Sequence, residues 1–226
     1  RGVVCVTLEA LRHLKIEISE TTVAIQGFGN VGSHTARIMH ESGAKVIAVS
    51  DVSGGIYNPR GLDIPKLLST YKSSGQTLTE TKLGDPLTNA ELLQLKCTVL
   101  VPAALSEQIT KHNASKLNCR VLAEGANGPT TLEADRIVQD KGIFVIPDIL
   151  ANSGGVIVSY FEWVQDAQRF FWKATDIQDR LRDLMTSAFQ RTLQFATAKG
   201  TSMRMAALMT GIDKVAQAHL SRGLYP

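Results

Sequence analysis

Three glycines and one aspartate set the chemistry open to this 226-residue chain. Gly27-Phe28-Gly29-Asn30-Val31-Gly32 follows an apolar run, Thr22 to Gln26, and precedes a helix-like stretch. Asp51 stands 19 residues beyond Gly32, at the end of a second run, Lys45 to Ser50. That context, more than the spacing alone, is the signature of a dinucleotide site. Gly27 permits a tight turn, Gly29 lets the backbone approach a pyrophosphate, and Gly32 lets helix and strand pack closely. The helix N-terminus then offers free N–H groups and a positive dipole end to the phosphates. Asp51 is placed to accept from adenosine ribose hydroxyls, which favours NAD, and its alternative is a solvated strand end. Ser53, or Arg60 folding back, would instead accommodate a 2′-phosphate, so NAD and NADP both stay open.

Other chemistries lack their residues. No Gly-Lys-Ser/Thr follows the glycines, and there is no Val-Ala-Ile-Lys strand, His-Arg-Asp loop or Gly-x-Ser-x-Gly elbow. His13, His34, His40, His112 and His219 are scattered without HxxxH spacing, which reads as surface or helix residues and no metal site. Against 21 acidic residues, 24 basic ones leave +3, too weak for an electrostatic grip on nucleic acid. The longest run free of Asp, Glu, Lys and Arg is 16 residues, Thr21 to Ala36, and it holds Gln26, Asn30, Ser33 and His34. No membrane span is expected from it. Cys5, Cys97 and Cys119 share no CxxC spacing and sit in apolar contexts, as reduced structural thiols of a cytoplasmic protein do.

The elements that must hold the motif follow from periodicity. Val4, Leu8 and Leu11 give Gly2 to Leu14 helical spacing, and Ser33 to Ser42 reads as a helix stopped by Gly43. Ser53 to Gly61 is a turn-rich stretch, a small hairpin or loop. Thr88-Asn89-Ala90-Glu91 and Thr130-Thr131-Leu132-Glu133 have capping-box form, and Thr98 to Ala104, Arg120 to Ala123 and Gly142 to Ile146 are further apolar runs. Short apolar strands alternating with helices predict an α/β fold, a doubly wound, mostly parallel, Rossmann-like sheet with a helical C-terminal extension. In that extension Thr175-Asp176-Ile177-Gln178 caps a helix with Ile177, Leu181, Leu184, Met185 and Ala188 on one face. A last helix, Ser202 to Leu220, carries Met205, Leu208, Met209, Ile212 and Val215, a stripe that reads as core packing. No linker divides the chain, so residues 1–226 are expected to form one domain: a core at about 20–155 with flanking helices at 1–15 and 160–222.

Four more segments carry a resemblance. They are Val101-Pro102-Ala103-Ala104, Glu124-Gly125-Ala126-Asn127-Gly128-Pro129, Pro147 through Val156, and Val158-Ser159-Tyr160-Phe161-Glu162-Trp163. With the glycine loop they resemble, in order and over essentially the whole chain, the C-terminal coenzyme-binding half of the glutamate/leucine/phenylalanine/valine dehydrogenase family. Ser159 and the Tyr-Phe-Glu-Trp run look most like its glutamate dehydrogenase branch. The resemblance implies a nicotinamide cofactor and reversible oxidative deamination of L-glutamate to 2-oxoglutarate and ammonia. By motif it places Gly27, Phe28, Gly29, Asn30, Val31 and Gly32 at the pyrophosphate and Asp51 and Val52 at the adenosine ribose. Ala103 and Ala104 would border the coenzyme, Asn127 and Asn152 would lie near the nicotinamide, and Val156 and Ser159 would meet the substrate side chain. Gly154 and Gly155 open a helix and would offer N–H groups to bound anions.

The same resemblance assigns no catalytic residue to this chain. Family members run from an N-terminal domain into a Thr-Gly-Arg-Gly-Val stretch, and Arg1-Gly2-Val3 falls within it. The catalytic lysine, the aspartate and the α-carboxylate lysines would come from that domain. The expectation is therefore a chain that binds coenzyme without deaminating glutamate alone, its last helix packing against the other half, within a homo-hexamer of complete subunits. The alternatives are a leucine, valine or phenylalanine dehydrogenase domain, and a non-catalytic nucleotide-sensing subunit.

Overall fold

In this computed structural model, residues 1–74 and 77–223 are described. Helix α1 (Gly2–His13) leads to β1 (Thr22–Gln26), α2 (Asn30–Glu41), β2 (Lys45–Asp51), β3 (Gly54–Tyr57) and α3 (Ile64–Ser74). Next come β4 (Asp85–Leu87), α4 (Asn89–Gln94), β5 (Cys97–Pro102), β6 (Cys119–Ala123), α5 (Leu132–Asp140) and β7 (Phe144–Ile146). Helices α6 (Asp148–Ala151), α7 (Gly154–Gln168), α8 (Ala174–Lys199) and α9 (Met203–Arg222) follow. The seven strands form one sheet in the order β4-β3-β2-β1-β5-β6-β7. From β2 to β7 every pairing is parallel, and β3 and β4 extend the sheet antiparallel. The connection leaves β1 toward β2 on one side and returns to β5 on the other. A ligand crevice opens where that order reverses.

The central strands are apolar because both faces are covered. In β1, Val23 and Ile25 join the core beneath α1 and α2, while Ala24 joins a second core with Leu92, Leu93 and Val138. In α8 the buried side chains Leu181, Met185, Phe189, Thr192 and Ala196 recur at helical spacing against α1. Leu184, expected on that face, is exposed.

Several expected boundaries move. Helix α2 begins at Asn30, so Gly32 lies inside its first turn. Thr131, and not Thr130, caps α5, accepting from Ala134 N at 3.3 Å. Helix α8 starts before Thr175, whose hydroxyl donates to Asp176 Oδ1 at 3.3 Å and caps nothing. The box at Thr88 forms as expected, with both reciprocal bonds to Glu91. The stripe on α9 is corrected outright. Met205, Leu208, Met209, Ile212 and Val215 are all exposed, Val215 at 71%, and it is Met203 and Ala206 that α9 buries.

Cys97 and Cys119 are register partners on β5 and β6, and all three cysteines are free thiols. Burial raises both of these thiols, and Cys119 is pushed up to about 12. In the unfolded chain they ionise near 9, while in the fold they hold their protons. Their stabilisation is therefore complete below pH 9 and is lost as pH rises from 9 toward 12. The urea midpoint is expected to fall over that window, and less steeply in Cys119→Val. An equally steep fall in the variant would contradict the assignment.

Candidate functional site

At the end of β1 the chain turns through Gly27 at φ +93°, a conformation that side chains disfavour. A Cβ there would lie 2.7 Å from the Ala103 carbonyl oxygen, so the turn is pressed on the end of β5. At Gly32 a Cβ would stand 1.8 Å from the Gly27 oxygen, so only glycine lets α2 start this close to the strand. Gly29 differs. Its φ is −73° and nothing lies within 4 Å of where its Cβ would be. Neither strain nor packing within the protein calls for glycine at that position. No side chain caps α2, so its first-turn N–H groups are left for a partner from outside. Phe28 contributes backbone only, because its ring is buried edge-on against Tyr71 at 5.2 Å.

Asp51 ends β2 on one side of this loop. Its Oδ1 accepts from Ser53 N at 2.8 Å and Ser53 Oγ at 2.6 Å, and its Oδ2 accepts from Leu78 N at 2.9 Å. A carboxylate has about four acceptor positions, so a ribose hydroxyl would share the last of them with the Tyr71 phenol, which also hydrogen-bonds Asp51. The Tyr71 phenol stands beside it, its pKa raised by burial and then by the Asp51 charge. Val52 is fully exposed next to it. Arg60 is not available there. It follows Asn58, whose N donates to Ile47 O, and precedes Leu62, whose N donates to Val46 O. That places it alongside the start of β2, about 16 Å from Asp51 at the usual rise per residue.

On the other side, Val31, Ala103, Ala104, Asn127, Asn152, Gly155, Val156 and Ser159 line one cleft of about 760 Å³. Asn152 Nδ2 donates to Asn127 Oδ1 at 2.5 Å, so each amide orients the other. Gly125 lets the loop close over β5, since a Cβ there would meet Ala103 Cβ and Val31 Cγ1 at 3.2 Å. Gly154 has a packing reason instead of an anion: its Cβ would lie 2.8 Å from Gly2 Cα, where α1 and α7 cross. From β2 to β6 is three strand spacings, about 14 Å, which suits a ligand laid across the crevice. None of the residues lining the cleft is ionisable. It can orient and hydrogen-bond a ligand, but it has no side chain to take a proton at neutral pH. Among the described residues no group of three or more His, Cys, Asp or Glu is placed to hold a metal, and no helix is long and apolar enough to cross a membrane.

Arg204 escaped the sequence reading. It reaches from α9 to donate to both Glu124 oxygens at 2.9 and 2.6 Å and to Asp135 Oδ1 at 3.0 Å. Asp148 Oδ1 lies 3.6 Å away. Glu124 is completely buried and also accepts from Asp148 N at 2.9 Å, while Asp148 Oδ2 accepts from Gly128 N at 2.8 Å. Burial opposes the arginine's charge, but the bonds and charges of Glu124 and Asp135 outweigh it and raise its pKa. The network anchors the two loops that carry Asn127 and Asn152. Arg204 lies 80 residues from Glu124 and 69 from Asp135 along the chain, which no local motif could reveal.

Comparison with known proteins bears on the same residues. Residues 1–223 match the family model for glutamate/leucine/phenylalanine/valine dehydrogenase. The catabolic NAD-specific glutamate dehydrogenase RocG of Bacillus subtilis is 46% identical over 223 residues, which are 99% of this chain and 52% of that protein. A glutamate dehydrogenase of Thermotoga maritima is 49% identical over 100% of this chain and 54% of its own length. Among solved structures, the hetero-hexameric glutamate dehydrogenase of Thermus thermophilus in its Leu-bound form superposes with a TM-score of 0.92 at 31% identity. That match covers all of this chain and 53% of the other. The chain thus spans about half the length of the curated relatives it matches. The family match runs from the first residue through the last described one, taking in the glycine loop, the paired asparagines and α9 alike, and the chain belongs to the glutamate/leucine/phenylalanine/valine dehydrogenase family.

Proposed function

We propose that this chain is the coenzyme-binding half of a glutamate dehydrogenase, which converts L-glutamate reversibly to 2-oxoglutarate and ammonia. Gly29 carries the reading: a glycine required by neither strain nor packing, above an uncapped helix, at the bend of a fingerprint loop. In this reading residues 1–226 act as one NAD(P)-binding unit. The backbone from Gly27 to Gly32 holds the pyrophosphate, and Asp51, with Val52 beside it, takes the adenosine ribose. Ala103 and Ala104 flank the coenzyme, and the Asn127–Asn152 pair orients its nicotinamide end. Once bound, the nicotinamide ring accepts or donates the hydride. Val156 and Ser159 face the substrate side chain, where the Ser159 hydroxyl suits a γ-carboxylate.

A cleft lined by no ionisable group leaves proton transfer and the α-carboxylate clamp to residues outside this sequence. The complete subunit closes over the exposed faces of α7 and α9 and assembles as a hexamer. Its cofactor is NAD, supported by the acidic side chain of Asp51 at the end of β2 and by relatives named NAD-specific.

Fluorescence titration with NADH and NADPH tests the coenzyme reading. NADH is expected to bind more tightly, and Asp51→Asn to weaken it about tenfold through loss of a charge-assisted bond. Undetectable binding of both coenzymes would overturn the reading. With NAD and glutamate supplied, the chain alone is expected to produce no NADH.

A further inference from the structure

The Thr77–Glu80 turn lies over the 51–53 turn at the adenosine end. Leu78 N donates to Asp51 Oδ2 at 2.9 Å, and Thr79 Oγ1 lies 3.3 Å from Ser53 Oγ. Thr79 Oγ1 is also 3.3 Å from Thr77 Oγ1, and Thr77 donates to Glu80 Oε2 through both its N and its Oγ1 at 2.8 Å. Three hydroxyls are thus strung between two carboxylates, Asp51–Ser53–Thr79–Thr77–Glu80. Proton accounting fixes the direction of the string. Ser53 gives its proton to Asp51, Thr77 gives its proton to Glu80, and the Thr79 proton serves either neighbouring hydroxyl. Every hydroxyl proton is spoken for inside the string. Among the described residues neither carboxylate has a cationic partner.

A 2′-phosphate needs donors and positive charge; a 2′-hydroxyl needs an acceptor. We propose that Glu80, with the Ser53–Thr79–Thr77 hydroxyl string, is a second specificity determinant at the adenosine ribose, excluding a 2′-phosphate by offering it only lone pairs and negative charge. The inference rests on the coenzyme reading above and extends it to a residue outside the fingerprint. Glu80 is exposed, and its two bonds from Thr77 hold its carboxyl below the usual range, so it stays charged at neutral pH.

The test is the NADH:NADPH affinity ratio of the chain, titrated by fluorescence at low ionic strength, where exposed charges are least screened. Glu80→Gln is expected to lower the ratio roughly tenfold by removing one charge near a dianion. Glu80→Lys is expected to lower it further. Glu133→Gln, which removes an exposed charge paired with Lys111, serves as the control and is expected to leave the ratio alone. If the unsubstituted chain prefers NADH but both Glu80 variants keep its ratio, the second determinant is refuted while the coenzyme reading stands. The same fall in Glu133→Gln would refute it too, by showing that net charge alone sets the ratio. No binding of either coenzyme by the unsubstituted chain would remove both readings.

Discussion

Gly29→Ala is expected to weaken NADH binding by about 10- to 100-fold while moving the thermal midpoint by no more than about 2 °C. The backbone at φ −73° accepts alanine without strain, and the new methyl meets no protein atom within 4 Å. What it would meet is a coenzyme bound as proposed. Gly32→Ala provides the contrast. There the methyl would lie 1.8 Å from the Gly27 carbonyl oxygen, so α2 or the turn must shift. Overpacking of this kind costs about 1–3 kcal/mol, a fall in midpoint of roughly 2–10 °C for a chain of this size, and the displaced loop loses the coenzyme as well. Thermal unfolding and NADH titration of the two variants thus separate a glycine needed for a ligand from one needed for the fold. Wild-type affinity in Gly29→Ala would contradict the role given to the loop.

Arg204→Met is expected to destabilise the fold by about 3–5 kcal/mol, because it leaves Glu124 and Asp135 buried without their cation. Glu124 has no exposed surface on which to regain hydration. The double variant Arg204→Met with Glu124→Gln is expected to recover part of the loss, since the stranded charge is then gone. Arg204→Lys recovers less than a charge count suggests, because an ammonium cannot fork to both Glu124 oxygens and Asp135 together. Urea denaturation gives the numbers. A loss below about 1 kcal/mol in Arg204→Met would show the network to be dispensable. The change is also expected to weaken NADH binding, because Gly128 and Asp148 hang on the same network.

What the sequence revealed and what it hid divide along range of interaction. The central strands and the tight approach of Gly32 to Gly27 are legible because each depends on neighbours within a few residues: β-branched runs buried on both faces, and a contact that closes within one loop. Periodicity starts α2 three residues late, at Ser33, because Gly32 reads as loop until its contact with Gly27 is seen. The edge strands β3 and β4, of four and three residues, are too short to announce themselves beyond the hairpin or loop expected at Ser53 to Gly61. Helix α3, between them, does carry helical spacing, at Ile64, Leu67, Leu68 and Tyr71. On α9 periodicity located the apolar stripe, but periodicity says only that a face is apolar, and not whether this chain covers it. Arg204 was invisible for the opposite reason, since one arginine on a helix looks solvated until its buried acids arrive from β6 and α5.

The most direct test is a crystal structure of the chain with NADH. The account predicts the pyrophosphate on the backbone amides from Gly29 to Val31, the adenosine ribose on the Asp51 carboxylate, and the nicotinamide in the cleft between Asn127 and Asn152. A coenzyme bound with its pyrophosphate away from the Gly27–Gly32 loop would contradict it.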